Sequence, residues 1–117
     1  MLNLSLTVEV YLCTLPTDMR RGFDGLMRMA EEHLQKNVLQ GGLFVFVNRH
    51  RNRVKLLYWD QDGLAVWYKR LERGTFALPG VDEETVSVIL SATELAMLLG
   101  GVDLKRARKR NRYQIPA

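Results

Sequence analysis

The chain is poor in the residues that carry most covalent and metal chemistry. It has one cysteine, Cys13, and two histidines, His33 and His50, in 117 residues. One cysteine cannot form an internal disulfide, and these three residues have no zinc-ligand spacing. Cys13 is therefore expected to be a small buried hydrophobe. No apolar run approaches the roughly 18 residues of a membrane span. The first residues alternate polar and apolar instead of building a signal-peptide core. The expected setting is the cytoplasm, with no membrane partner. A P-loop and a nucleophile triad are also missing. Asp60 and Asp62 are the one carboxylate pair that invites Mg2+ and a nuclease role. Within a turn, both have a sufficient local task as acceptors for backbone N–H groups. No catalytic residue, no metal and no cofactor is expected.

Acid is absent from the last 13 residues, which hold six of the 17 Lys and Arg: Lys105, Arg106, Arg108, Lys109, Arg110 and Arg112. Residues 1–104 then keep 11 bases against 13 acids, a net charge of −2, although the whole chain is at +4. A block of like charge repels itself and rarely folds alone. The chain is therefore divided into a single α+β domain at 1–104 and a basic flexible arm at 105–117. Such an arm suits a polyanion, with a merely solubilising tail as the alternative.

What is present is periodic. Leu2, Leu4, Leu6, Val8, Val10 and Leu12 occupy every second position, the period of a half-buried strand. Pro16 breaks it, and Thr17 or Asp18 can cap a helix that the three-and-four spacing of Met19, Phe23, Leu26, Met27, Ala30 and Leu34 extends to about Leu34. Gly22 and Gly25 in that helix mark either a close approach to the sheet or a tolerated cost of up to about 1 kcal/mol each. Leu43 to Val47 reads as a central strand, Arg53 to Trp59 as the next, and Leu64 to Leu71 as its hairpin partner. Asp60-Gln61-Asp62-Gly63 fits a three-residue hairpin loop with Gly63 at positive φ. Thr85 to Leu90 fits a short strand. Ser91-Ala92-Thr93-Glu94 fits a capping box on a short helix that stops at Gly100-Gly101. The expected fold class is α+β: an antiparallel β-sheet of four or five strands, one long helix packed on a face, a short C-terminal helix and a basic C-terminal arm.

The three-residue loop fixes a register in which Trp59 faces Ala65, Leu57 faces Trp67 and Lys55 faces Lys69. Trp59 and Trp67 then share one surface with Lys55 and Lys69, opposite a core face of Val54, Leu56, Tyr58, Leu64, Val66 and Tyr68. Two lysines directly opposite in a sheet destabilise it unless an anion lies between them. Aromatic rings among cations suit stacking on unpaired bases. If the long helix covers the tryptophans, however, they are core. Arg49, Arg51 and Arg53 crowd the turn before this hairpin, and Lys69, Arg70 and Arg73 end it. With Lys55 and the six tail cations they form the expected nucleic-acid-binding set, the bland alternative for the turn being ordinary solvated charge. Arg20 and Arg21 start a helix, where the dipole disfavours cations. They, with Trp59 and Trp67, are candidates for contacting a partner or a phosphate, unless the arginines simply pair with Asp24.

The segment Pro16-Thr17-Asp18-Met19-Arg20-Arg21-Gly22-Phe23-Asp24-Gly25-Leu26, followed by Phe44-Val45-Phe46, Lys55-Leu56-Leu57-Tyr58-Trp59-Asp60, Asp62-Gly63-Leu64 and Trp67-Tyr68-Lys69-Arg70-Leu71-Glu72-Arg73-Gly74, resembles the TnpB or Orf2-like accessory protein encoded beside the transposase in insertion sequences of the sixty-six class. The resemblance runs from about Val10 to about Leu104. It implies a role in DNA transposition without a known catalytic chemistry, and DNA and the element-encoded transposase as partners. Combined with the charge pattern, it predicts an accessory protein acting by non-catalytic DNA binding, by assembly with the transposase, or both. The alternative is a protein–protein adaptor for the transposase with no direct DNA contact. The sequence leaves the oligomeric state open and is compatible with an oligomer.

Overall fold

A computed structural model of the chain describes residues 8–79, 86–103 and 108–109. Its main sheet has five strands: β1 (Val10–Cys13), β2 (Leu43–Val47), β3 (Arg53–Asp60), β4 (Gly63–Arg70) and β5 (Ser87–Leu90), in the spatial order β4-β3-β2-β1-β5. Helix α1 (Phe23–Leu34) joins β1 to β2, and α2 (Ala92–Gly100) follows β5. Two short strands, β6 (Val102–Asp103) and β7 (Arg108–Lys109), make a separate antiparallel ladder.

The expected all-antiparallel sheet is corrected at its centre, where β1 and β2 run parallel with Val10 opposite Leu43 and Cys13 opposite Phe46. A helix between two neighbouring strands carries the chain back to the starting end of the sheet, so the second strand repeats the direction of the first. The remaining pairings are antiparallel. Strand β1 is buried on both faces, like β2, and is not the half-buried strand its alternation suggested. Leu2, Leu4 and Leu6 lie outside the described residues.

Alternate strand residues supply two cores. Val10, Leu12, Val45 and Leu56 pack with Leu95 and Leu98 of α2 and with Leu71 and Phe76. Tyr11, Cys13, Phe44, Phe46 and Leu57 pack with Leu26, Met29, Ala30 and Leu34 of α1. Helices thus cover both faces, not one as expected. Each fully buried Leu or Phe contributes about 1.5–3 kcal/mol of transfer free energy, so neither layer is dispensable. Cys13 is wholly buried in the α1 layer, and burial raises its thiol pKa.

Helix α1 begins at Phe23, five residues later than the expected start at 18, and covers 12 residues. The groups meant to cap it are engaged elsewhere. Thr17 is 3% exposed, and its N–H donates to the Val47 carbonyl at 2.9 Å, which ties the loop to the end of β2. The Asp18 carboxylate accepts from Arg20 N at 2.9 Å in a local turn. The Lys55 ammonium donates to the carbonyls of Met19 at 2.7 Å and Arg21 at 2.8 Å, so those oxygens are held by a charged donor from the sheet. Gly22 stands at the N-cap with no side-chain bond. A Cβ at Gly22 would meet nothing within 4 Å and one at Gly25 would meet the Arg21 side chain, so neither glycine marks contact with the sheet. The capping box of α2 is formed as expected: Glu94 N donates to Ser91 Oγ and Ser91 N to Glu94 Oε1, both at 3.0 Å. Gly101 closes that helix at φ +88°, where a side chain would be strained.

The β3–β4 hairpin has a two-residue loop. Asp60 pairs with Gly63, and Gln61, not Gly63, takes the positive φ of 55°. This one-residue slip places Trp59 opposite Leu64, Leu56 opposite Trp67, Lys55 opposite Tyr68 and Arg53 opposite Arg70. Lys55 and Lys69 are therefore not partners, and the shared Trp and Lys surface does not exist. Trp59 lies on the α1 side with Leu57 and Leu64, whereas Trp67 packs against the α2-side core. The cause is the double cover. When both faces of a strand are buried, an apolar residue fits either side, and the hydrophobic pattern no longer selects a register.

Candidate nucleic-acid interface

The strand registers bring separated stretches of sequence to one end of the sheet. The C-terminal ends of β1 and β2, the start of β3, the end of β4 and the start of β5 all meet there. The loop 14–22, the turn 48–52 and the segment from Arg70 to Phe76 leave from this same end. It carries Arg20, Arg21, Arg49, Arg51, Arg53, Lys55, Lys69, Arg70 and Arg73, nine of the 11 Lys and Arg of residues 1–104.

The turn is built around one asparagine. Asn48 Oδ1 accepts from the N–H groups of Asn52 at 3.0 Å and Arg53 at 2.9 Å, and Asn48 Nδ2 donates to Asn52 Oδ1 at 2.7 Å. Arg51 takes φ 56° to close the turn. The carbonyls of Arg51 and Asn52 then accept from Phe76 N and Leu71 N, both at 2.7 Å, so the chain leaving β4 is stitched to the turn. A tightly bonded backbone holds Arg49 and Arg51 outward as exposed cations.

Turn and loop face each other across a cleft of about 690 Å3 lined by Pro16 to Arg20 and by Asn48, Arg49, His50, Asn52 and Arg53. The two sequence stretches that drew separate attention thus form one concave surface. Arg20 binds Asp18 through both Nε and Nη2, the shortest contact being 2.6 Å, and does not pair with Asp24. That bond holds the exposed Asp18 carboxyl down at about 2. Arg21 is exposed, and its carbonyl is the one that Lys55 grips.

On the α1 side, Arg53 Nη1 donates to the Tyr68 hydroxyl at 3.1 Å, and the Lys55 ammonium lies 4.8 Å from the Tyr68 ring centre. Arg70, across from Arg53, is paired with Glu72 at 2.8 Å. Like charges opposed in a sheet repel, and here the Tyr68 hydroxyl and the Glu72 carboxylate relieve the repulsion. On the α2 side, Lys69 and Arg73 line a smaller cleft of about 290 Å3 with Leu99 and Gly100. Arg20–Asp18 and Arg70–Glu72 are the two ion pairs among the described residues. Arg108 and Lys109 pair through their backbones with Val102 and Asp103. Lys105, Arg106, Arg110 and Arg112 lie outside the described residues.

The opposite end of the sheet is acidic. Glu9, Asp60 and Asp62 are there, and Tyr11 donates its hydroxyl to Glu9, which raises the tyrosine pKa. Trp59, 39% exposed, belongs to this end, and Trp67 is half-buried in the other core. Sequence reasoning missed Tyr68 and Asn48. The first was assigned to a core face by the slipped register, and the second has no signature beyond an asparagine four residues before another.

Among curated proteins, the chain is 35% identical over 102 residues to "Uncharacterized protein y4hO" of Sinorhizobium fredii, covering 87% of each chain. It is 30% identical over 110 residues to "Uncharacterized protein y4jC" of the same organism, covering 94% of this chain and 92% of the relative. No solved structure matches. Residues 8–109 match the family described as IS66 Orf2 like protein, which contains both the loop and the turn of the basic cleft, and the chain belongs to that family.

Proposed function

We propose that this protein serves transposition of an insertion sequence by binding DNA without catalysing a reaction on it, in company with the element-encoded transposase. The observation that carries this reading is the gathering of nine of 11 body cations at one end of the sheet. Cations so placed displace condensed counterions from a polyanion, and the affinity gained is sequence-independent and falls steeply with salt. Arg49, Arg51, Arg53, Arg70 and Arg73 supply phosphate contacts from the body, and Lys105 to Arg112 supply them from the tail. Asp60 and Asp62 sit at the far end of the hairpin, so the nuclease alternative would place its carboxylates away from the bound backbone.

Titrating a fluorescent duplex against the full chain and against a chain ending at Leu104 tests the proposal. The expected result is salt-steep binding that is reduced by the truncation. A flat titration in dilute buffer favours the second reading, an adaptor that docks on the transposase and touches no DNA. That reading has its own support in Ile89, 70% exposed on the edge strand β5.

A further inference from the structure

Of the exposed aromatic rings near the basic end, Phe23 at the start of α1 and Tyr68 on the sheet, Tyr68 is the one set among cationic side chains. Tyr68 is 46% exposed on the edge strand β4. Three cationic side chains surround it on the α1 side: Lys55 directly opposite, Arg53 bonded to its hydroxyl, and Arg70 two residues along the same strand. The ring is also held in place. Lys55 is anchored by the carbonyls of Met19 and Arg21 while its ammonium lies against the ring, and Arg53 fixes the hydroxyl end at 3.1 Å. An aromatic side chain immobilised before a ligand arrives loses little rotamer freedom on stacking. A ring of this kind among phosphate-binding cations has the composition of a platform for unpaired bases.

We infer that Tyr68 is a base-stacking platform and that the basic end takes an unpaired stretch of DNA, one base on the Tyr68 ring and the flanking phosphates on Arg53 and Arg70. The inference rests on the DNA-binding reading above and adds to it the state of the DNA. Charge and exposure select this ring over the two tryptophans. Trp59 is next to Asp60 and Asp62, where phosphates are repelled, and Trp67 is packed on the α2-side core. Every base has a π-face but in a duplex those faces are stacked on their neighbours, so a single aromatic platform discriminates between strand states and not between sequences.

The test uses the full chain with Tyr68→Leu and Tyr68→Phe, a single-stranded oligonucleotide containing 2-aminopurine, and a duplex of equal length. Tyr68→Leu is expected to weaken single-strand binding by about 5- to 100-fold and to abolish quenching of 2-aminopurine by the protein, with duplex affinity within about twofold of the parent. Tyr68→Phe keeps the ring and is expected to keep both the quenching and the affinity. Thermal melts should show both variants folded, with a small drop from loss of the Arg53 bond to the hydroxyl that is common to the two and so does not account for the difference between them. Undiminished single-strand binding and quenching in Tyr68→Leu overturns the platform while leaving the DNA-binding reading intact. A parent chain that binds neither probe overturns both.

Discussion

The two ends of the sheet are made by the same strands yet differ in charge and in the tasks of their residues. At one end, hydrogen bonds accepted by the Asn48 side chain and donated by the Thr17 N–H and the Lys55 ammonium secure the loops and leave arginines facing outward. At the other, Asp60 and Asp62 flank a tight turn and Glu9 is engaged by Tyr11. From Arg53 to Asp60 the strand rises about 23 Å, whereas charges in physiological salt are screened over about 8 Å. The ends are therefore electrostatically separate. A net charge of −2 over residues 1–104 says nothing about either. The partner of a protein is decided by the local field, and the field is set by the register.

The sharpest way to break this comparison is to remove charge from each end in turn. Replacing Arg49, Arg51 and Arg53 together with alanine should weaken DNA binding by about tenfold or more and shallow the dependence of log K on log salt by about 0.9 per lost phosphate contact. Fluorescence titration over a salt series measures both. Asp60→Asn with Asp62→Asn should leave affinity within about twofold, because the change lies beyond the screening length. Equal effects from the two variants would erase the distinction.

Loop docking gives the next largest effect. Lys55→Met removes a charged donor from two carbonyls and should lower unfolding stability by about 1–3 kcal/mol, read from the midpoint of denaturant unfolding. DNA affinity should fall with it, since the 16–21 loop forms one wall of the cleft. Ser91→Ala breaks the capping box at the acidic end and should cost about 1 kcal/mol, with no change in DNA binding. Asp18 gives the smallest effect. Its carboxyl, held down at about 2 by Arg20, stabilises the fold when ionised. That contribution is present above about pH 4, the ordinary carboxylate range, and is lost as the pH falls through about 2. A carbon-detected NMR titration should find the midpoint there, and DNA binding between pH 5 and 8 should not report this group.

Much of the fold was legible in the sequence where local signals were strong. The capping box at Ser91, the central run Leu43 to Val47 and the strand before α2 all depend on neighbours in the chain, and they form where expected. The start of α1 was not legible, because a lysine 34 positions from Arg21 holds the carbonyls that an earlier helix would have used. The parallel pairing of β1 and β2 likewise depends on where the crossover helix returns the chain. The hairpin register failed for a related reason. Leu56 and Leu57 are both fully buried, one on each face, so apolar patterning could not tell inward from outward. Of the candidate site, the charged residues could be named from sequence, because clusters such as Arg49, Arg51 and Arg53 are local. That the Pro16 to Arg20 loop would face them across a cleft, and that Tyr68 and not the tryptophans would stand among them, depended on the register.

The segregation of charge can be tested in one experiment, an amide chemical-shift map of the isotopically labelled chain on addition of a short DNA. Shifts are expected at 16–21, 48–53 and 67–73, with the 58–63 turn and the 37–42 loop unmoved. Shifts concentrated at the acidic end, or spread evenly over both, would contradict the assignment of the basic end as the DNA-facing surface.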